Sequence, residues 1–260
     1  MTNTSESFAV FPSLADRSVL ISGGGSGIGA EIVRGFVRQG AKVAFVDLDE
    51  EASSQLIDGI DVSDTGHKPL YRHVDVTDIE AYRNVIQDLD AQLGGFDVLV
   101  NNAANDQRHA IGEVTPEYWR KALAVNLDHQ FFAAQAVAKG MAKRGGGAIV
   151  NMGSCSWRVG LDQLSAYVTS KAAIEGLTNG LARELGPDGI RVNCVIPGFI
   201  KTERQVKLWL TPELEQIVYD SQCLKELIDP VYVANLVAFL SSNDARMCSS
   251  GTYTVDGGWI

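Results

Sequence analysis

Short apolar runs rich in β-branched residues alternate with segments of helical periodicity along most of the chain, and this alternation constrains the fold more than any other feature. The runs are S-V-L-I-S (18–22), K-V-A-F-V-D (42–47), K-P-L-Y-R-H-V (68–74), D-V-L-V-N (97–101), A-I-V-N-M (148–152), R-V-N-C-V (191–195) and Y-T-V-D (253–256). Their continuous apolar character suits strands covered on both faces. Between them, A-E-I-V-R-G-F-V-R (30–38), I-E-A-Y-R-N-V-I-Q-D-L (79–89) and E-Y-W-R-K-A-L-A-V-N-L (117–127) repeat apolar residues at helical spacing. Helices of this kind are the crossovers that parallel strands require. The expected fold is α/β: a single doubly wound domain over residues 1–260, with a parallel sheet of about seven strands and helices on both faces. One stretch breaks the alternation. Residues 201–229 read as a helical excursion at the carboxyl end of the sixth strand, and are expected to form a substrate lid over the crevice where such sheets bind ligands.

The composition narrows the function. Hydrophobic residues make up 45% and charged residues 21%, values of a packed globule rather than a disordered chain. A formal net charge of −10 disfavours nucleic acid and anionic membrane as partners, since both attract positive surface. A small diffusing substrate suits it better. The N-terminal M-T-N-T-S-E-S-F-A-V-F-P has neither a basic leader nor an apolar span, so a cytoplasmic location is expected. Cys155, Cys194, Cys223 and Cys248 are too scattered for a disulfide framework, and His67, His73, His109 and His129 lack metal-ligand spacing, so no metal site is expected.

The first strand leads through S22-G23-G24-G25-S26-G27-I28-G29 into a helical pattern. Glycines there allow a tight turn and a close approach of backbone to a pyrophosphate, and the helix start adds free amides and a positive dipole end. The spacing is G-x-x-x-G-x-G rather than the better-known G-x-G-x-x-G. Asp47 closes the second strand 18 residues after Gly29, placed to accept hydrogen bonds from both ribose hydroxyls of an adenosine and to repel a 2′-phosphate. With no Arg or Lys in the loop, NAD is favoured, while NADP stays open. The competing role for Asp47 is a helix N-cap. Further on, S-A-Y-V-T-S-K-A-A-I-E (165–175) sets Tyr167 four residues before Lys171, on one helical face with small neighbours.

Together with N-N-A-A (101–104), Asn126, Ser154 and P-G (197–198), these motifs resemble the short-chain dehydrogenase/reductase family in order and spacing, from about residue 15 to the C-terminus. The resemblance implies a Rossmann-like fold and a catalytic set of Asn126, Ser154, Tyr167 and Lys171. Ser154 would orient the substrate oxygen, Tyr167 act as general acid and base, Lys171 hold the nicotinamide ribose and lower the phenol's pKa, and Asn126 position a water in a proton relay. For the cofactor it implies Ser22, Gly23, Gly25, Ser26, Gly27 and Ile28 in the loop, Asp47 at the ribose, Asp75 and Val76 at the adenine, and Asn102, Ala103 and Ala104 along the adenosine. Pro197, Gly198, Ile200 and Thr202 would hold the carboxamide, with Tyr167 and Lys171 also contacting the cofactor. Ser22 stands where Thr is usual and Ala104 where Gly is usual.

N-N-A-A-N-D-Q-R-H (101–109), S-C-S-W (154–157) and Q-C-L-K (222–225) are similar to the family's sugar dehydrogenases, which oxidise C1 of an aldose to the lactone. Asn105, His109, Ser156 and Trp157 are accordingly expected to join Ser154 and Tyr167 around a monosaccharide. His109 and Trp157 are equally suited to packing, Arg108 better to a surface ion pair, and Trp209 and Trp259 to lid and C-terminal packing. A 3-oxoacyl or other ketone reductase, a secondary-alcohol dehydrogenase and a non-catalytic NAD-sensing regulator remain alternatives. The resemblance also implies a homotetramer assembled through long helices at 107–140 and 164–186.

Overall fold

The structure is a computed structural model and describes residues 8–63 and 66–260. Residues 1–7 of the N-terminal stretch considered above as a leader lie outside the described residues. Seven parallel strands form one sheet in the order β3-β2-β1-β4-β5-β6-β7. They are β1 Ser18–Ser22, β2 Lys42–Asp47, β3 Leu70–His73, β4 Val98–Asn101, β5 Gly147–Met152, β6 Ile190–Pro197 and β7 Thr252–Val255. The chain moves outward from β1 through β3, then returns to lay β4 against the free side of β1. That reversal opens a crevice at the carboxyl ends of β1 and β4.

Among the described residues ten α-helices connect the strands: α1 Gly27–Arg38, α2 Glu50–Asp58, α3 Ile79–Leu93, α4 Pro116–Leu123, α5 His129–Lys143, α6 Ser156–Val159, α7 Ser165–Leu185, α8 Glu203–Leu208, α9 Pro212–Ser221 and α10 Pro230–Ser241. On one face of the sheet Val33 and Phe36 of α1 pack with Val233 and Val237 of α10. On the other, Tyr82 and Ile86 of α3 meet Ala133 and Val137 of α5 and Leu181 of α7. Both faces of the central strands are thereby sealed, which is why β1 is buried at every residue.

Helix starts are set by local chemistry. Thr115-Pro116, Thr211-Pro212 and Asp229-Pro230 each place a capping oxygen before a proline, whose missing N–H costs nothing in a first turn. The first of these pairs shortens the helix expected from 107: residues 107–115 form a loop with a single 3₁₀ turn at Ile111–Glu113, and α4 starts at Pro116. The pattern read over 117–127 is likewise not one regular helix. After Leu123 the chain widens into a π-helical turn, Ala124–Asp128, before α5 resumes. The helix expected at 164–186 is present as α7. The 201–229 excursion is only partly helical, comprising α8, α9 and an extended return that bridges Ile228 to Ile200. Both ends of the excursion are thus fastened at one point beside β6.

Candidate active site

A cavity of about 840 Å³ runs along the carboxyl edge of the sheet. At one end the loop after β1 turns sharply, with Gly23 at φ 68° and Gly27 at φ 53°, and the Gly23 amide donates to the Val46 carbonyl at 2.8 Å. A side chain is not tolerated at the core of this turn. A Cβ on Gly29 would collide with the Gly23 carbonyl, and one on Gly25 would come within 2.6 Å of Ser53 Oγ and 3.0 Å of Asp47 Cγ. Helix α1 starts with no side-chain cap and no acid in its first turn, so its amides and positive end face the cavity uncompensated.

Asp47 lies on the cavity wall, where Oδ2 accepts from the Gly25 amide at 2.8 Å and Oδ1 from the Asp49 amide at 3.0 Å. The N-cap of α2 is Asp49, whose Oδ1 accepts from Ala52 at 2.9 Å, so Asp47 does not serve as that cap. Gly23, Ser26, Gly27, Ile28, Asp75, Val76, Asn102, Ala103 and Ala104 line the same end. Ser22 and Gly25 lie behind it. Ser22 Oγ accepts from the amides of Asn102 at 3.0 Å and Ala103 at 3.1 Å, tying the loops after β1 and β4 together.

At the other end stand Ser154, after β5, and Tyr167 and Lys171, on α7. Both α7 side chains face the cavity one turn apart, with Lys171 Nζ 5.5 Å from the centre of the Tyr167 ring. The amine is buried and donates to the Met152 carbonyl at 2.8 Å. Burial pushes it down to about 8, against weaker upward pulls from Cys194 and Asp106. Burial raises Tyr167 above the ordinary phenol value, and the opposing influences are a hydrogen bond with Ser154 and the more distant Arg204, not Lys171. A buried phenol beside an amine that burial also discourages from charging is not, by this geometry alone, an acidic one. Cys155, between the two serines, is pushed up to about 11 chiefly by burial and stays a neutral thiol.

Asn126 does not line the cavity. The π-turn buries it, and its amide is fully engaged: Oδ1 accepts from the Asn105 amide at 2.9 Å, while Nδ2 donates to the carbonyls of Asn105 at 3.1 Å and Ala122 at 2.9 Å. Asn126 therefore clamps the loop after β4. Nearby, His129 is buried, shares a hydrogen bond with the Ala103 carbonyl at 3.0 Å and is pushed down to about 3, first by burial and then by Lys171. It is a neutral support under the Ala103 loop.

Of the residues expected around a sugar, Ser156 lines the cavity, buried, with no protein partner for its hydroxyl and its amide donating to Ser154 Oγ at 3.1 Å. Asn105, His109 and Trp157 do not line it. Asn105 Oδ1 is used by the Gln107 amide at 3.1 Å. The His109 ring shares a hydrogen bond with Ser165 Oγ at 3.1 Å and packs on Tyr118. Trp157 donates to Glu175 Oε1 at 3.0 Å on the outer side of α7. In their place the structure brings Asp106, Arg108, Arg204, Gln205, Trp209 and Trp259 to the wall, beside Pro197, Gly198, Ile200 and Thr202. Thr202 also caps α8, accepting from Gln205 at 3.2 Å. Asp106 and Arg108 fall within the 101–109 stretch noted above, whereas no local pattern points to Arg204, Gln205, Trp209 or Trp259 as cavity residues. Arg108 and Trp209 lie about a hundred residues apart and meet only in three dimensions.

Among the described residues no group of three or more His, Cys, Asp or Glu side chains could hold a metal ion, and no helix is long and apolar enough to cross a membrane.

The sequence model of a family described as enoyl-(acyl carrier protein) reductase matches residues 23–260. The chain is 51% identical over 253 residues to the D-xylose 1-dehydrogenase of Caulobacter vibrioides, covering 97% of this chain and 99% of that one. It is 46% identical over 248 residues to a probable galactose dehydrogenase of Rhizobium meliloti, covering 95% and 96%. A 7α-hydroxysteroid dehydrogenase solved with NADH and 7-oxo glycochenodeoxycholic acid superposes with a TM-score of 0.88 at 31% identity, covering 95% of this chain and 96% of that one. Likeness of this extent, from the glycine loop to the last residue, shows that the chain belongs to the short-chain dehydrogenase/reductase family.

Proposed function

We propose that the protein is an NAD-dependent dehydrogenase that oxidises C1 of a monosaccharide to the aldonolactone. The observation that carries this reading is one cavity in which Ser154, Tyr167 and Lys171 face the glycine loop and Asp47. The two relatives named for xylose and galactose support the sugar. The family description names an acyl-carrier substrate, but 22 basic against 32 acidic residues make a poor dock for an acidic carrier.

The residues present fit a dinucleotide. The uncapped start of α1 and a glycine turn with no room for a Cβ suit a pyrophosphate, and Asp47, with Asp49 and Asp75 close by on the wall, suits a free ribose diol better than a 2′-phosphate. Asp75 and Val76 would flank the adenine, Asn102, Ala103 and Ala104 the adenosine, and Pro197, Gly198, Ile200 and Thr202 the carboxamide. Lys171 would hold the nicotinamide ribose. When bound, the oxidised nicotinamide supplies a hydride acceptor for C1 and a positive ring near the phenol.

Ser154 holds the substrate's C1 oxygen, and Tyr167 takes the proton from it as the carbon–oxygen double bond of the lactone forms. Because burial raises the phenol, its ionisation depends on positive charge brought into the cavity. Ser156, whose hydroxyl is buried and has no protein partner, supports Ser154 from behind through its amide, which donates to Ser154 Oγ at 3.1 Å. Residues 201–229 act as the lid. In the same reading the enzyme works in the cytoplasm as a homotetramer, supported by four free cysteines and by exposed Phe131 on α5.

NAD reduction screened across pentoses, hexoses, deoxyhexoses and simple secondary alcohols tests the proposal. Turnover with aldoses is expected. Turnover with alcohols alone would overturn the sugar assignment.

A further inference from the structure

Arg108 has no role in the scheme above, yet it stands on the cavity wall. Its guanidinium carbon lies 4.5 Å from the centre of the Trp209 ring, and Trp209 lines the cavity too. The acid closest in sequence does not neutralise it. Asp106 spends one oxygen on Arg204 Nη2 and the other on Gln205 Nε2, each at 2.8 Å. Among the described residues Arg108 takes part in no ion pair, so the surface pairing expected for it is not formed. An unpaired guanidinium held on an indole keeps its flat face covered and its edge free. That edge carries N–H donors in a fixed fork, matched to two acceptor oxygens at neighbouring positions.

We propose that Arg108, braced on Trp209, is a specificity-determining residue that donates to two adjacent hydroxyl oxygens of the sugar beyond the reacting carbon. The inference rests on the aldose reading above and extends it. Ser154 and Tyr167 address the reacting oxygen, which every alcohol has. Arg108 addresses oxygens that only a polyhydroxylated substrate has. Its place on the loop after β4, with its platform on the 201–229 excursion, means that the recognition element is complete only when these two segments meet.

Arg108→Gln tests this with two sets of substrates: the aldoses that the wild type oxidises, and the same sugars deoxygenated at C3 or C4. The variant is expected to raise KM for the full aldoses by roughly 10- to 100-fold, the scale of hydrogen bonds to a charged group, with a smaller effect on kcat. For a deoxygenated sugar that lacks one of these two oxygens the same substitution should cost clearly less, because part of the contact is already lost. Arg108→Lys should recover only part of the affinity, having a point charge in place of the fork. Binding can be followed without turnover by the sugar-dependent change in tryptophan emission, which Trp209→Phe should diminish. An unchanged KM in Arg108→Gln would overturn the inference while leaving the aldose reading standing. An equal penalty on full and deoxygenated sugars would also overturn it, making Arg108 a fastener of the excursion. A wild type that oxidises no aldose would remove both.

Discussion

The two ends of the cavity are built differently. The nucleotide end is made of backbone: a glycine turn locked between β1 and β2, an open helix start, and one carboxylate at the tip of a strand. The substrate end is made of side chains carried by four separate segments, the loop after β4, the loop after β5, helix α7 and the excursion after β6, joined by contacts such as Asp106 with Arg204 and Arg108 with Trp209. A backbone site is fixed by the sheet and admits few sequences. A side-chain site on loops can change its ligand without disturbing the fold. A steroid dehydrogenase at 31% identity shares this architecture.

The sharpest way to break the comparison is Tyr167→Phe. If the two ends are independent, the variant should lose about 10² to 10⁴ in kcat and keep its dinucleotide affinity, read by fluorescence titration. Undiminished turnover would remove Tyr167 from the chemistry, and lost dinucleotide affinity would show that the ends are one unit. A smaller effect is expected at the other end. Asp47→Ala should narrow the preference for NAD over NADP by about tenfold or more, since a like charge facing a 2′-phosphate is strongly unfavourable. An unmoved ratio of catalytic efficiencies would show that Asp47 does not face the ribose. The smallest concerns the clasp between segments. Asp106→Ala removes hydrogen bonds to Arg204 and Gln205 from a partly exposed pair, so sugar KM should rise only about two- to fivefold, with dinucleotide affinity unchanged. An effect as large as that of Arg108→Gln would make the clasp, and not the fork, the element that organises the substrate end.

The same division governs what could be read in advance. The runs located all seven strands to within a few residues, most plainly β1, β2, β4, β5 and β6, whose burial on both faces leaves no polar alternation. The glycine loop, Asp47 and the Tyr167–Lys171 spacing were legible because each is a short-range relation within or between adjacent elements. Asn105, His109 and Trp157 do not line the cavity, because each side chain has a partner elsewhere: the Gln107 amide, Ser165 and Glu175. Asn126 sits next to the expected region, yet the π-turn aims its amide at the Asn105 backbone.

The sequence by itself determined the parallel sheet, its crossing helices, the glycine turn after β1 and the phenol–amine pair, since periodicity, glycine freedom and helical spacing are local properties that survive outside any tertiary context. Only the tertiary structure decided how Arg108 meets Trp209, which partners Asp106 takes, and in which direction burial moves Tyr167 and Lys171. Those outcomes depend on desolvation and on contacts between residues far apart in the chain, and neither quantity exists until the elements have packed.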